Sequence, residues 1–440
     1  MRRLLKTFFP NLYLNRLRAQ AEAILYEQWL DSPGSKADSP DDDWLPLGDG
    51  SDKSPASDAP ALALLRSRSR QLVQTQPHAA AALNMYVHFV VGDGLQINPD
   101  TGNDSFDRKA SDNWIRFSTL NQFDERFREI VLRTFRDGEC FIRRFVTPDG
   151  IRLRFIDPED IVSPSDRLLN APQGIRFSET DAETPIEYFV AVHNSSTVEI
   201  ESVDASEILH IKLGVDSNAA RGIPLLTPVI ARLKQYDNWL QSLLALHSVR
   251  SAVALVKRYV SSSPGDILSQ ASRSATTTAN ADGRTTRRQK LQPGSIIHAS
   301  AGVEYQMLSP NIQATDADVL GRAILLSVAS GLGLSETMLT ADSNNANYAS
   351  SVVAETPAFM AFRAHQRRFC ARTAIIYRWM IENAIATGRL NAVLPDDPYS
   401  VRISASPMPT RDIESRVRAA CELYDRGLLD KDSMLQKTNF

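Results

Sequence analysis

Between Arg221 and Val260 the apolar residues fall at Val229, Ile230, Leu233, Tyr236, Leu240, Leu243, Leu244, Val249, Val253 and Val256. Intervals of mostly three and four predict one helix with an apolar stripe. Gly222 and Pro224 precede it, Pro228 suits a first helical turn, and no further Gly or Pro comes until Pro264. Some thirty residues would make a rod of roughly 45–50 Å, against about 11–12 residues for an ordinary helix. Such a rod needs apolar neighbours along its length. It is either a long core helix of a large domain or a strut shared between subunits.

Elsewhere the pattern changes period. Residues 15–30 predict a first helix, and 31–60 a loop rich in Asp, Ser, Pro and Gly that holds Asp41–Asp43 and Trp44. A helix is expected over 61–89, with Arg66, Arg68 and Arg70, then a turn at VVGDG and a strand at 95–97. Trp114–Phe135 predicts another amphipathic helix. Glu139–Val146 and Ile151–Ile156, joined by Pro148–Asp149–Gly150, predict a hairpin. Short strands follow at 175–177, 186–192 and 208–211, so this half is α+β.

After the long helix, residues 261–292 are small and polar, with Arg284, Arg287, Arg288 and Lys290 as a basic cluster. Strands are expected at 295–299 and 303–307 and a helix at 311–330, stopped by Gly331 and Gly333. A loop, LSETMLTADSNNANY, occupies 334–348. A second very long helix is expected over 349–386, with Pro357 kinking it or marking its start. A strand at 401–403, a helix at 410–425 and a stop at Gly427 close the chain. The central third therefore reads helix, polar excursion, helix, polar loop, helix.

Composition narrows the function. The 440 residues are 43% apolar and 23% charged with net charge -3, enough for two or three packed units. A protein that wraps nucleic acid tightly would carry a large basic excess. Cys140, Cys370 and Cys421 lack zinc spacing and suit a reducing compartment. No run of 18 uninterrupted apolar residues announces a membrane span. The basic N-terminus lacks the uncharged core of a signal peptide and reads as a short amphipathic arm. Walker, GxSxG, HExxH and paired CxxC motifs are missing, so no enzyme, cofactor or metal site is expected. VVGDG lacks the third glycine and following helix of a dinucleotide site. His78, His88, His210 and His247, and Glu139 beside Cys140, read as structural. Asp41–Asp43 read as a solvated loop rather than metal ligands.

Six segments, in this order, resemble the portal proteins of tailed bacteriophages, most closely the lambda type. They are NMYVHFVVGDGL; FRDGECFIRRF with LRFIDPEDI; RGIPLLTPVIARLKQYDNW; QPGSIIHASAGVEYQML; LLSVASGLGLSETMLTADSNNANYASS; and TRDIESRVRAACELYDRGLLDKDSML. The resemblance implies an α+β wing at 61–223 behind an N-terminal arm and acidic linker at 1–60. It implies a first stem helix at 224–260, a protruding clip at 261–313, a second stem helix at 314–330 and a tunnel loop at 331–348. A long tunnel-flanking helix at 349–388 and a wing return with a small helical crown at 389–440 complete it. Many relatives continue past the last block, so a small crown or a shortened tail is expected.

The family further implies a ring of subunits, usually twelve, at one capsid vertex of the virion, assembled in the host cytoplasm. DNA passes through without tight binding. Terminase, the head–tail connector and capsid or scaffold proteins are the implied partners, with no membrane. A channel must surround a polyanion without trapping it, so its wall should be polar or weakly acidic rather than basic. Asp316 and Asp318 on the second stem helix, and Asp342, Ser343, Asn344, Asn345, Asn347 and Tyr348 in the tunnel loop, suit that wall. Composition alone would make the Asn-rich loop an ordinary turn. Leu233, Leu240, Leu243 and Leu244 are the expected ring-packing residues of the first stem. Arg284, Arg287, Arg288 and Lys290 read as a solvated loop, as a clip surface for terminase or connector, or as a DNA contact. Two other readings stay open: a capsid- or scaffold-associated protein that conducts no DNA, and a nucleic-acid-binding module using the basic clip.

Overall fold

The computed structural model describes residues 59–164, 171–181, 183–193, 198–251, 255–259, 276–279, 285–288, 303–307, 314–342, 348–390, 393–408, 413–430 and 434. The helix expected at 15–30, the acidic loop and the strand at 295–299 lie outside them. The chain divides into two compact units, residues 36–236 with 322–440 and residues 1–35 with 237–321.

The larger unit opens with α1 (Ala59–Thr75) and α2 (Pro77–Val91). The single helix expected over 61–89 is thus two. Pro77 has no N–H to continue α1 and sits at the start of α2, where none is needed; the Gln76 side chain caps that start, accepting from the Ala79 N–H at 2.8 Å. Strand β1 (Leu95–Pro99) leads to α3 (Asp104–Asn121) and α4 (Phe123–Asp137). The helix expected over 114–135 is broken at Gln122, which is left-handed at φ 49°. Asn121 repays the break by binding β3: its Nδ2 donates to the Ile151 carbonyl at 2.9 Å and its Oδ1 accepts from the Leu153 N–H at 2.9 Å.

The hairpin forms as expected, β2 (Glu139–Thr147) against β3 (Gly150–Ile156), with β7 (Ile208–Lys212) on the other edge of β2. A second antiparallel sheet runs β4 (Ile175–Phe177), β5 (Pro185–His193), β6 (Val198–Asp204). Strand β6 adds to the expected set. The helix α5 (Ile230–Ser251) starts from this unit; α6 (Ala314–Gly331) ends in it, followed by α7 (Glu336–Thr340) and α8 (Tyr348–Ala386). At 39 residues, α8 is about 58 Å long and continues through Pro357. Strand β12 (Val401–Ala405) pairs antiparallel with β1, and α9 (Ile413–Asp425) closes the order. One core joins the four N-terminal helices, the β2–β3–β7 sheet, the base of α5, the end of α6 and α8, with Phe106, Phe127, Phe135, Phe362 and Phe369 all sealed from water. A smaller core lies between the two sheets, around Phe141, Ile161, Tyr188 and Val203.

The smaller unit holds the rest of α5, the strands β8 (Leu255–Tyr259), β9 (Thr276–Ala279), β10 (Thr285–Arg288) and β11 (Val303–Met307), and the start of α6. The rod expected to run unbroken to Val260 ends at Ser251. Residues 255–259 instead pair with β11, Leu255 opposite Met307 and Tyr259 opposite Val303. Valines that fit a helical stripe fit a strand equally well, and a partner some 45 residues later is invisible to local spacing. Within this unit α5 and α6 touch closely: a Cβ on Gly321 would run into the ring of Trp239.

Candidate functional site

The segments expected to line a passage or pack a ring are α5, α6, the 331–348 region and α8. The chain that leads into α5 is anchored at a buried charge centre in the β2–β3–β7 sheet. Glu139, first residue of β2, is fully buried. It accepts from Arg221 Nη2 at 2.7 Å, Arg66 Nη1 at 3.1 Å and the Gly222 N–H at 3.1 Å. His210 Nε2 lies 3.1 Å from its other side; since a carboxylate only accepts, that nitrogen carries the proton. Burial alone would raise the Glu139 carboxyl, but the Arg221 guanidinium and the His210 hydrogen bond outweigh it and hold the group down at about 2. Burial, more than its carboxylate neighbour offsets, pushes His210 below the usual imidazole range, so it donates as the neutral ring. Arg221 also donates to the carbonyls of Pro158 and Gln173 at 2.6 and 3.0 Å. Gly222 approaches Gly138 so closely that no Cβ would fit. The chain leading into α5 is therefore nailed to β2. Sequence reading placed Glu139 and His210 as structural but missed Arg66 and Arg221, whose only signal was an unusual density of arginine near apolar runs.

The base of α5 is internal. Val229 and Leu233 are sealed in the larger unit's core, and a Cβ on Gly331 would lie 2.6 Å from Val229 Cγ1. Leu233, expected to pack neighbours, is 0% exposed and already fully used within its own subunit, which corrects that assignment. Farther along α5, Leu243 is half-buried, while Leu240 and Leu244 are 37% and 59% exposed. On α6, Val319 and Leu320 are 63% and 54% exposed. Asp316 and Asp318 lie on α6, but their side chains fall outside the described residues.

After α6 the chain turns tightly. Gly333 is left-handed at φ 65°, and Tyr86 Oη donates to the Leu332 carbonyl at 2.5 Å. Ser335 caps α7, its Oγ accepting from the Met338 N–H at 3.2 Å, and Ala341 ends it left-handed. Arg322 on α6 holds Glu336 on α7. The Asp342 N–H donates to Thr340 Oγ1 at 3.2 Å, and Asp342 is exposed. Ser343, Asn344, Asn345 and Asn347 lie outside the described residues; Tyr348 begins α8, its side chain outside them. Arg287 and Arg288 are on β10, opposite Thr277 and Thr276 of β9; Arg284 and Lys290 lie outside the described residues. The structure thus ties α6 to α7 through the Arg322–Glu336 pair, and in the smaller unit it sets Arg287 and Arg288 on the β9–β10 hairpin.

Residues 43–366 match the family described as phage portal protein, lambda family. The chain belongs to that family. Among curated proteins none matches it. A chain in the virion of a native gene transfer agent particle shares its fold at 12% identity and TM-score 0.51, over 86% of this chain and 93% of that one. A chain in the neck of an empty gene transfer agent particle computed with C6 symmetry aligns at TM-score 0.54, again with 12% identity and coverages of 86% and 93%. The mixed α+β fold is thus one that chains of those particles share. Portal proteins of this family are structural proteins. Within the described helices no segment is long and apolar enough to cross a membrane.

Proposed function

We propose that copies of this chain stand side by side as a ring, about twelve by family resemblance, around a channel for double-stranded DNA at one vertex of a phage-like capsid. The observation that carries this is the apolar outer part of α5 and α6: Leu240, Val319 and Leu320 are exposed on helices whose bases are fixed in the core. An amphipathic helix does not leave such residues bare without a partner. A neighbouring copy supplies one, through a heterologous contact that closes when the rotation is right. Family membership supports the same assembly.

In this reading residues 61–223 are the wing, α5 and α6 the stem, and the β8–β11 module the clip. Residues 331–348 form the tunnel loop, and α8 flanks the tunnel. Asp316, Asp318, Asp342 and the Ser/Asn run after it give a wall that passes hydrated DNA without neutralising its phosphates. The basic Arg284, Arg287, Arg288 and Lys290 offer terminase and the head–tail connector a surface of opposite charge. Assembly takes place in the host cytoplasm and the finished ring resides in the virion.

Negative-stain images of the purified chain test the proposal. Rings with an open axial hole are expected, without the steeply salt-dependent retention of duplex DNA that a nucleic-acid-binding module would show. Solid or monomeric particles at all concentrations overturn it.

A further inference from the structure

A cavity of about 430 Å³ opens between α8, β7 and the start of β5 in the larger unit, and the channel reading makes no use of it. Tyr188, Leu209 and Trp379 give it an apolar wall, each at most 6% exposed. Three arginines line it, Arg144, Arg372 and Arg378, against one carboxylate, Glu382. That carboxylate is already engaged: Oε2 accepts from Arg144 Nη1 at 3.1 Å, and Oε1 lies 3.7 Å from Arg378 Nε. Arg372 has neither a hydrogen bond nor an ion pair among the described residues.

The neighbouring cations do not absorb its charge. Arg368, one turn back on α8, donates to the Lys212 carbonyl. Lys212 Nζ donates to the carbonyls of Ser217 and Ala219 at 3.0 and 2.6 Å. All these acceptors are neutral. Burial first, and the Arg372 charge next, hold Lys212 and Arg368 below their usual ranges. Glu183 and Glu139 offset part of this at Lys212, but Glu139 already serves Arg66 and Arg221. Three cations thus repel one another beside an opening, and the one that lines it holds no anion.

These walls specify an occupant. A pocket with apolar walls and a few placed polar groups takes a mostly apolar body, oriented by its polar end. An unpaired guanidinium offers a fork that matches a carboxylate. Duplex DNA would bring phosphates to that fork, but nothing apolar to Leu209 and Trp379. We propose that this cavity binds a carboxylate carried on an apolar body. Arg372 takes the carboxylate, and the wall of Tyr188, Leu209 and Trp379 takes the body. The same chemistry belongs to a small aromatic or aliphatic acid and to a Glu side chain set between apolar residues of a partner peptide. The site lies within one copy of the chain and stands independently of ring formation.

Ligand-observed NMR titration of the full chain tests it, with phenylbutyrate and the peptide acetyl-Leu-Glu-Leu-amide as probes. Both should bind, and the tighter of the two tells the free acid from the peptide as the source. Phenylbutanol, which keeps the body, and inorganic phosphate, which keeps the charge, should each bind about tenfold more weakly. Arg372→Gln should weaken both acids about tenfold. Arg363→Gln removes the same charge from α8 outside this cavity and should change neither; equal circular dichroism of the two variants keeps folding out of the comparison. Failure of both acids to bind overturns the proposal, as does binding that survives Arg372→Gln or that falls equally in Arg363→Gln. Inorganic phosphate binding as tightly as the acids also overturns it, as does displacement of neither acid from Arg372 when duplex DNA alone proves to bind there.

Discussion

Arg322 grips Glu336 through two parallel hydrogen bonds, Nε to Oε1 at 2.6 Å and Nη2 to Oε2 at 2.9 Å. The pair spans the turn between α6 and α7 and fixes the direction in which the chain sets out toward Asp342. The fork geometry gives it more directional force than a single contact, although both side chains are partly solvated and its net worth is about 0.5–1 kcal/mol. Arg322→Ala should leave overall stability within about 1 kcal/mol. Exchange of the amides from 332 to 342 should rise several-fold, because the pair joins α6 to α7 alongside the Tyr86 hydrogen bond to Leu332 and the Thr337 hydrogen bond to Glu355. Unchanged exchange in that window would show that the pair orients nothing.

Glu139 makes a different kind of demand. Removing its charge leaves the buried Arg221 guanidinium without a carboxylate and Arg66 with Glu159 alone. Glu139→Gln should therefore destabilise the larger unit by about 3–5 kcal/mol, measured by urea unfolding. Replacing Arg221 with Met, which leaves the carboxylate to Arg66 and His210, should also destabilise and should free the 221–229 segment to exchange.

The pH dependence follows from His365. Burial first, then the Arg368 charge, holds its imidazole at about 4, against 6.5 when unfolded. Between those values the unfolded chain binds more protons, so stability falls as pH drops through that window. The loss is roughly 1–2 kcal/mol by pH 5. His365 packs edge-on against Phe135 at 5.0 Å, a setting that accepts an aromatic replacement. His365→Phe should reduce the fall of the urea midpoint between pH 6.5 and 4, leaving the share due to His210, whose imidazole burial also holds low. Glu139, held at about 2 against 4.5, adds a second loss between pH 4.5 and 2 that the same variant leaves in place.

Helix contact in the smaller unit rests on a missing side chain. Gly321→Ala places a methyl in the ring of Trp239 and should cost about 1–3 kcal/mol by overpacking. Trp239→Leu combined with it should recover part of the loss. Circular-dichroism melts of the two variants and the double variant check the coupling.

Outer stem residues should separate assembly from folding. Leu244→Asp places a charge on an exposed position of α5, so the isolated chain should keep its helical signal. Ring formation by size exclusion should be lost or shifted to much higher concentration. Rings that persist unchanged would place the subunit contact elsewhere.

Local spacing determined a good deal of this protein. The hairpin at Glu139–Ile156, a helix expected at 311–330 and seen at 314–331, a long helix expected at 349–386 and seen at 348–386, and a strand expected at 401–403 and seen at 401–405 all follow from periodicity and turn residues that act over a few positions. The order of six sequence segments was enough to place the chain in its family. Tertiary structure alone decided where α5 stops, because residues 255–259 take their backbone partners from β11. It decided that Leu233 is sealed in the core while Leu244 stays 59% exposed, since a stripe of equal hydrophobicity does not say which stretch is buried. It also collected Arg66, Glu139, His210 and Arg221 from four separate parts of the chain into one centre. Helical and strand periods report neighbours within a turn or two; charge pairing and burial depend on residues far apart in sequence, which only the folded chain brings within reach.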